Sequence, residues 1–215
     1  MIEASHTLRN EPRDFVEWHR GRRPYVFWGL DVDMPAVVER VAAARQHLHG
    51  LLLDGYNRQP HITIELCGFA GEVPLAGDEF DSASLSAQVA ALRQAAPAPF
   101  EIEIGGLASF TSAPYLQVVD ASHSVAAVRN CLAVDGAVRL LGDYMPHVTV
   151  GLYGDAWPAD NVRSRLSEFA TGEPLPCRIE RISLMAYEPS QIGGPLRRLG
   201  DFHLAGREME FTELP

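Results

Sequence analysis

Pro60-His61-Ile62-Thr63-Ile64 and Pro146-His147-Val148-Thr149-Val150 are one five-residue pattern written twice, 86 residues apart. Each stretch alternates polar and β-branched residues, which predicts a strand with two unlike faces. Successive side chains on a strand point to opposite faces, so His61 and Thr63 project together while Ile62 and Ile64 anchor the other side. His147 and Thr149 are arranged in the same way. The likeness extends upstream. YVFWGLDVD (25–33) reads as a strand from its aromatic and β-branched content, and YLQVVD (115–120) as its counterpart. A helix follows each: PAVVERVAAARQHLHG (35–50), opened by Pro35 and stopped by Gly50, and HSVAAVRNCLAV (123–134), with Gly136 behind it. Tyr25 precedes His61 by 36 residues, and Tyr115 precedes His147 by 32. Two such strand–helix–strand units predict two lobes related by a pseudo-two-fold axis, with both His-x-Thr faces meeting across a central cleft.

Around the repeat, SASLSAQVAALRQAA (82–96) reads as a helix ended by Pro97, and FEIEIGGLASF (100–110) as a strand. PADNVRSRLSEF (158–169) reads as a helix, CRIERISLMAYEP (177–189) as one strand, and RRLGDFHLAG (197–206) as the strand that closes a sheet. Residues 1–24 form a polar, Arg-bearing N-terminal extension, 25–206 the two-lobed domain and 207–215 a C-terminal tail. The order of elements predicts mixed helix and strand, and leaves the direction of pairing open.

Composition narrows the chemistry. A chain of 215 residues is long enough for one sizeable domain or two small lobes, and 47% hydrophobic against 21% charged residues excludes wholesale disorder. All 18 basic residues are Arg, so a Schiff-base lysine and a P-loop lysine are both excluded. A net charge of −10 argues against binding long duplex nucleic acid, which depends on counterion release at a basic surface. No apolar run is long enough to cross a bilayer, and the first residues lack the apolar core of a secretory leader. Cys67, Cys131 and Cys177 are odd in number, with no C-x-x-C pair, and read as reduced thiols in a cytoplasmic protein.

Two imidazoles and two hydroxyls converging on one volume suit the in-line cleavage of a phosphodiester. An imidazole titrates near neutrality, so one ring can accept a proton from water while the other protonates the leaving oxygen. The Thr hydroxyls would donate to the non-bridging oxygens. A zinc site is the competing use of two histidines, but such a site wants three or four protein ligands and no nearby Cys, Asp or His completes the set. A duplicated strand with no chemistry at all is the other alternative.

Through HITI (61–64) and HVTV (147–150) the chain resembles the 2H phosphoesterase superfamily, named for two H-x-[ST]-h motifs, where h is an apolar residue. It is most similar to the bacterial 2′-5′ RNA ligase-like, or RNA 2′,3′-cyclic phosphodiesterase, group. FTSAPYLQVVD (110–120), YMPHVTVGLYG (144–154) and ISLMAYEPSQIGGPLRRLGDFHLAG (182–206) add to the resemblance, which covers about residues 25–206. It implies an α+β fold of two antiparallel sheets flanked by helices, with catalysis by His61, Thr63, His147 and Thr149 and without metal or other cofactor. The expected substrate is a 2′,3′-cyclic phosphate on a small nucleotide or short RNA terminus, handled by a monomer. Alternatives are another cyclic phosphodiester, a 2′-5′-linked oligonucleotide (with ligation as the reverse reaction), or a nucleotide-binding module without turnover.

One position departs from the pattern. The RNA-directed group often carries an Arg two residues after the first motif's Thr. Here Glu65 stands there, and on an unbroken strand it would share the face of His61 and Thr63. A carboxylate beside a phosphate is unfavourable, so either Arg58 or another Arg supplies the charge, or Glu65 neutralises one, or the substrate differs from RNA. Phe27, Tyr115 and Gln117, on strands flanking the motifs, are candidate contacts to a base or ribose.

Overall fold

Each copy of the motif lies in its own sheet. The computed structural model describes residues 2, 4–71, 78–134 and 144–212, so Gly136 lies outside the described residues. In chain order the elements are α1 (Val16–His19), β1 (Tyr25–Asp31), α2 (Pro35–His47), β2 (His61–Ala70), β3 (Glu79–Phe80), α3 (Ser82–Ala95), β4 (Phe100–Ser109) and β5 (Pro114–Val119). They continue as α4 (Ser124–Leu132), β6 (His147–Thr149), α5 (Ala159–Ser167), β7 (Leu175–Ile179), β8 (Arg181–Tyr187), β9 (Arg197–His203) and β10 (Glu208–Phe211). One sheet has the order β10-β9-β8-β1-β2-β3 and the other β6-β5-β4-β7. Every pairing is antiparallel except β2 with the short β3.

The local signals act as expected at most ends. Pro35 opens α2, where its missing N–H costs nothing. The α3 helix starts at Ser82, as read, and is capped by the residue before it: the Asp81 carboxylate accepts the Ser84 backbone N–H at 2.7 Å. Asp120 caps α4 in the same way, accepting from the backbone N–H groups of Ser124 and Val125.

Two expectations are corrected. The strand read over 177–189 is two strands. It breaks at Glu180, with β7 paired to β4 in the second sheet and β8 paired to β1 in the first. One residue thus carries the chain between lobes, and the first sheet is completed by the C-terminal strands β8, β9 and β10. The closing strand is also followed by β10, which pairs with β9, so residues 208–211 extend the first sheet.

Beside a smaller cluster of Ile2, Tyr153, Ala159 and Val162, the main apolar core runs through both lobes, from Trp28, Ile62 and Ile64 past Leu92 of α3 and Val128 of α4 to Ile102, Leu116 and Val148. Its polar atoms are paired. The Trp28 indole N–H donates to Gln88 Oε1 at 2.7 Å, and the Gln88 amide donates to the Leu132 carbonyl at 3.1 Å. That chain ties β1 to α3 and α4 through buried groups, which would be costly to leave unpaired.

The extension before β1 is packed against both lobes. Thr7 N–H donates to the Trp157 carbonyl and the Asn10 amide to the carbonyls of Ser112 and Tyr153, all in the second half. Further on, the Arg22 guanidinium pairs with Asp78 and Glu79 and lies over the Phe69 ring in the first.

Candidate active site

Strands β2 and β6, which carry the two motifs, approach until Cα atoms lie within 8 Å of each other. Between the lobes opens a cleft of about 340 Å³, lined by Arg58, His61 and Thr63 from one side and Thr149 from the other. Trp18, Tyr56 and Tyr187 supply aromatic wall. His147 stands two residues from Thr149 on the same face of β6, near enough to His61 for a charge on it to disfavour a charge on His61.

The register of the flanking strands refines the repeat. His61 lies opposite Asp31 and Thr63 opposite Gly29, while His147 lies opposite Gln117 and Thr149 opposite Tyr115. The equivalent of Tyr115 is therefore Gly29, not Tyr25, and counted this way the spacing to the His is the same in both halves. A ring still backs each imidazole. Tyr115 packs on His147 at 5.3 Å between centroids. In the first lobe a Cβ on Gly29 would meet the Phe27 ring at 3.1 Å, so that ring covers the glycine and reaches His61 at 5.5 Å. Phe27 and Tyr115 are both buried, behind the imidazoles. Gln117 lines a separate depression beside Gly106, Met145 and Pro146. None of these three joins the cleft that holds His61 and the two threonines.

Both imidazoles are oriented by the same device. His61 Nδ1 is 2.8 Å from the Gln59 carbonyl, and His147 Nδ1 is 2.8 Å from the Met145 carbonyl. A carbonyl can only accept, so Nδ1 carries the proton in each ring and Nε2 is left for chemistry. The intervening Pro60 and Pro146 have a fixed φ, which restricts where those carbonyls can sit. This gives the repeated proline a physical role. Neither the Thr63 nor the Thr149 hydroxyl has a hydrogen-bond partner among the described residues.

Electrostatics separate the two rings. Burial, opposed by the bond to Gln59 and aided by Arg58, lowers the His61 pKa to about 4. Burial also lowers that of His147, opposed by its bond to Met145. Asp31 acts on His61 in the opposite sense and is itself held by Arg181 at 2.9 Å.

Glu65 is not in the cleft. A β-bulge between Trp28 and Gly29 inserts an extra residue on β2, so Glu65 lies opposite Trp28 rather than on the face of Thr63. Its carboxylate points to the helix side and pairs with Arg129 of α4 at 3.3 Å. The expected clash between a carboxylate and a phosphate is thereby removed. Arg58, in contrast, lines the cleft, with its guanidinium over the Tyr187 ring at 4.3 Å and its Nε–H donating to the Gly194 carbonyl. No carboxylate pairs with it among the described residues. The motifs gave no signal for Trp18 or Tyr56, which reach the cleft through tertiary packing, whereas Tyr187 falls inside the C-terminal stretch that carried the resemblance.

Among the described residues no cluster of His, Cys, Asp or Glu is arranged to hold a metal ion, and no helix is long and apolar enough to cross a membrane. Comparison with known proteins agrees with the architecture. E. coli LigT complexed with 3′-AMP superposes with a TM-score of 0.54 at 16% identity, over 84% of this chain and 98% of that one. A crystal structure of a phosphoesterase gives 0.51 at 15%, over 84% and 98%, and TT0787 of Thermus thermophilus gives 0.50 at 18%, over 84% and 97%. At such identities these likenesses speak for the fold. No curated relative matches the sequence. The model of the 2′-5′ RNA ligase superfamily matches residues 33–191, a span that contains both His-x-Thr strands, and the chain belongs to that superfamily, the 2H phosphoesterases.

Proposed function

We propose that the protein is a metal-independent phosphodiesterase that hydrolyses 2′,3′-cyclic phosphates on small nucleotides or short RNA ends. The observation that carries this reading is the cleft itself: a cation (Arg58), an imidazole (His61) and two unengaged threonine hydroxyls face one volume from two lobes. A phosphate seated there would accept from Arg58, Thr63 and Thr149, and the arrangement holds no competing carboxylate now that Glu65 is accounted for. The 3′-AMP held by E. coli LigT is in keeping with a nucleotide of this size.

The burial difference supports a division of the proton roles. His61, more buried and next to Arg58, is the ring held neutral, and it serves as the base. Its Nε2 takes a proton from water as the water oxygen bonds to phosphorus. The bond from phosphorus to one ribose oxygen breaks, and His147 Nε2–H protonates that oxygen. The products are a phosphomonoester and a free hydroxyl, with one imidazolium exchanged between the two rings. A bound phosphate anion favours the His147 imidazolium that this step requires.

The test is turnover of a nucleoside 2′,3′-cyclic phosphate as a function of pH, with and without a chelator. The profile of kcat/KM, which reports the free enzyme, should be bell-shaped, with an acid limb near 4 from His61 and an alkaline limb below the ordinary histidine value from His147. EDTA should leave the rate unchanged. A rate abolished by EDTA and restored by zinc would overturn the mechanism.

A further inference from the structure

The family match begins at residue 33, yet part of the chain before it reaches into the cleft. Trp18 lines the same volume as His61, Thr63, Arg58 and Thr149. Resting on the cyclic phosphodiesterase reading above, we infer that the extension before β1 adds a substrate-recognition element, in which the Trp18 indole stacks against the nucleobase of a nucleotide whose phosphate sits at Arg58 and the two threonines.

Three aromatic residues line this cleft, and their ring faces differ in availability. Tyr187 is already engaged, by Tyr25 stacked at 5.4 Å and by the Arg58 guanidinium at 4.3 Å. The Tyr56 ring meets the backbone of Gly193, where an added Cβ would come within 2.5 Å, and has Arg45 over it at 5.2 Å. Trp18 is different. It packs against Tyr25 and Phe69, with centroids at 5.4 and 5.1 Å, yet remains 41% exposed. A large aromatic ring that is packed against two others, stays exposed and lines a cleft with a proposed phosphate-binding set is a stacking platform. Bases stack on such rings with little regard to sequence, because every base offers a π-face.

The platform is fixed before any ligand arrives. The turn after α1 runs through Arg20 and Gly21, both at positive φ. His19 Nε2 lies 2.6 Å from Asp14 Oδ1, and its Nδ1 accepts the Gly21 N–H. Arg22 donates to the Trp18 carbonyl while it is clamped by Asp78 and Glu79. Upstream, Thr7 and Asn10 hold the extension to the opposite lobe. The indole is therefore preorganised, so little ordering entropy is lost when a base stacks on it.

The experiment compares the full-length protein with Trp18→Ala and Trp18→Phe on two substrates: a nucleoside 2′,3′-cyclic phosphate and a base-free cyclic phosphodiester of glycerol. Trp18→Ala should lower the preference for the nucleotide, as the ratio of kcat/KM values, about tenfold, within roughly five- to hundredfold. The loss should fall on KM rather than kcat, and Trp18→Phe should regain most of it. Equal loss on both substrates, or an unchanged ratio in a variant that melts like the parent, would overturn the inference. Binding gives an arm independent of turnover. Titration with 3′-AMP should quench indole fluorescence in the parent and much less in Trp18→Phe, since Trp28 is fully buried and Trp157, bonded to the Leu51 carbonyl beside Tyr153 and Val162, does not line the cleft. Quenching without turnover of either substrate would sink the phosphodiesterase reading and leave the stacking role standing. Identical quenching in both proteins would sink the stacking role alone.

Discussion

The two motif strands share one pattern and differ in their surroundings. His61 lies on a strand inside a six-stranded sheet, opposite a carboxylate and beside Arg58; His147 lies on the three-residue edge strand of a four-stranded sheet, opposite an amide. Both rings are oriented by a carbonyl two residues back and backed by an aromatic ring. What the repeat keeps equal is orientation. What it leaves unequal is burial, and burial is the larger influence on each pKa. Under the proposed mechanism, a symmetric motif holds an acid and a base because the lobes around it are not symmetric.

The sharpest way to break this comparison is to remove one ring at a time. His61→Ala and His147→Ala should each lower kcat by about 10²–10⁴-fold. The double variant should lose less than the product of the two, since both rings act on one transition state. If the roles are divided as proposed, His61→Ala removes the acid limb of the pH profile and His147→Ala the alkaline one. Full activity in a folded His147→Ala protein would show that the second strand is only structural.

Next in size are the hydroxyls. Thr63→Ala and Thr149→Ala should each cost about 1.5–3 kcal/mol of transition-state stabilisation, the range for a hydrogen bond to a charged group. The check is kcat/KM for the cyclic nucleotide, with thermal melts to establish folding. An effect on one Thr alone would mean that the phosphate leans toward one lobe.

Folding stability should register the buried ring as well. His61 has a lower pKa in the folded protein than in the unfolded chain, so its contribution is fully present above about 6.5 and is lost as pH falls toward 4. Across that window the unfolded chain binds a proton that the folded one refuses, and the stability lost approaches about 3 kcal/mol. Urea titrations at pH 7 and pH 4.5 should show this fall, and His61→Ala should flatten it. An unchanged slope in the variant would place the effect on other groups.

The smallest effect is expected at Gln117. It shares a register position with Asp31 but lines a different depression, so Gln117→Ala should change kcat/KM by less than about twofold, in line with ordinary surface substitutions. A large loss would mean that the cleft extends past Met145 in the substrate complex.

Much of this molecule was legible as sequence, for definite reasons. Strand alternation over HITI and HVTV, the proline before each and the helix behind each flanking strand are short-range signals, and they set the lobes, the motif faces and the candidates His61, Thr63, His147 and Thr149. Arg58, three residues from His61, came within reach of the same reading. Other features needed the tertiary structure. The bulge that turns Glu65 away from the cleft depends on how β2 meets β1, and no local pattern encodes an inserted residue in a ladder. The break at Glu180 sends β7 to β4 and β8 to β1, in different sheets, a choice made by long-range pairing. The equivalence of Tyr115 with Gly29, and Phe27 leaning over that glycine, follow from register alone. Trp18 reaches the cleft only because a polar extension is held to both lobes by contacts distant in sequence. Periodicity fixes which face a side chain takes along its own strand; what stands opposite that face is decided by how the rest of the chain packs.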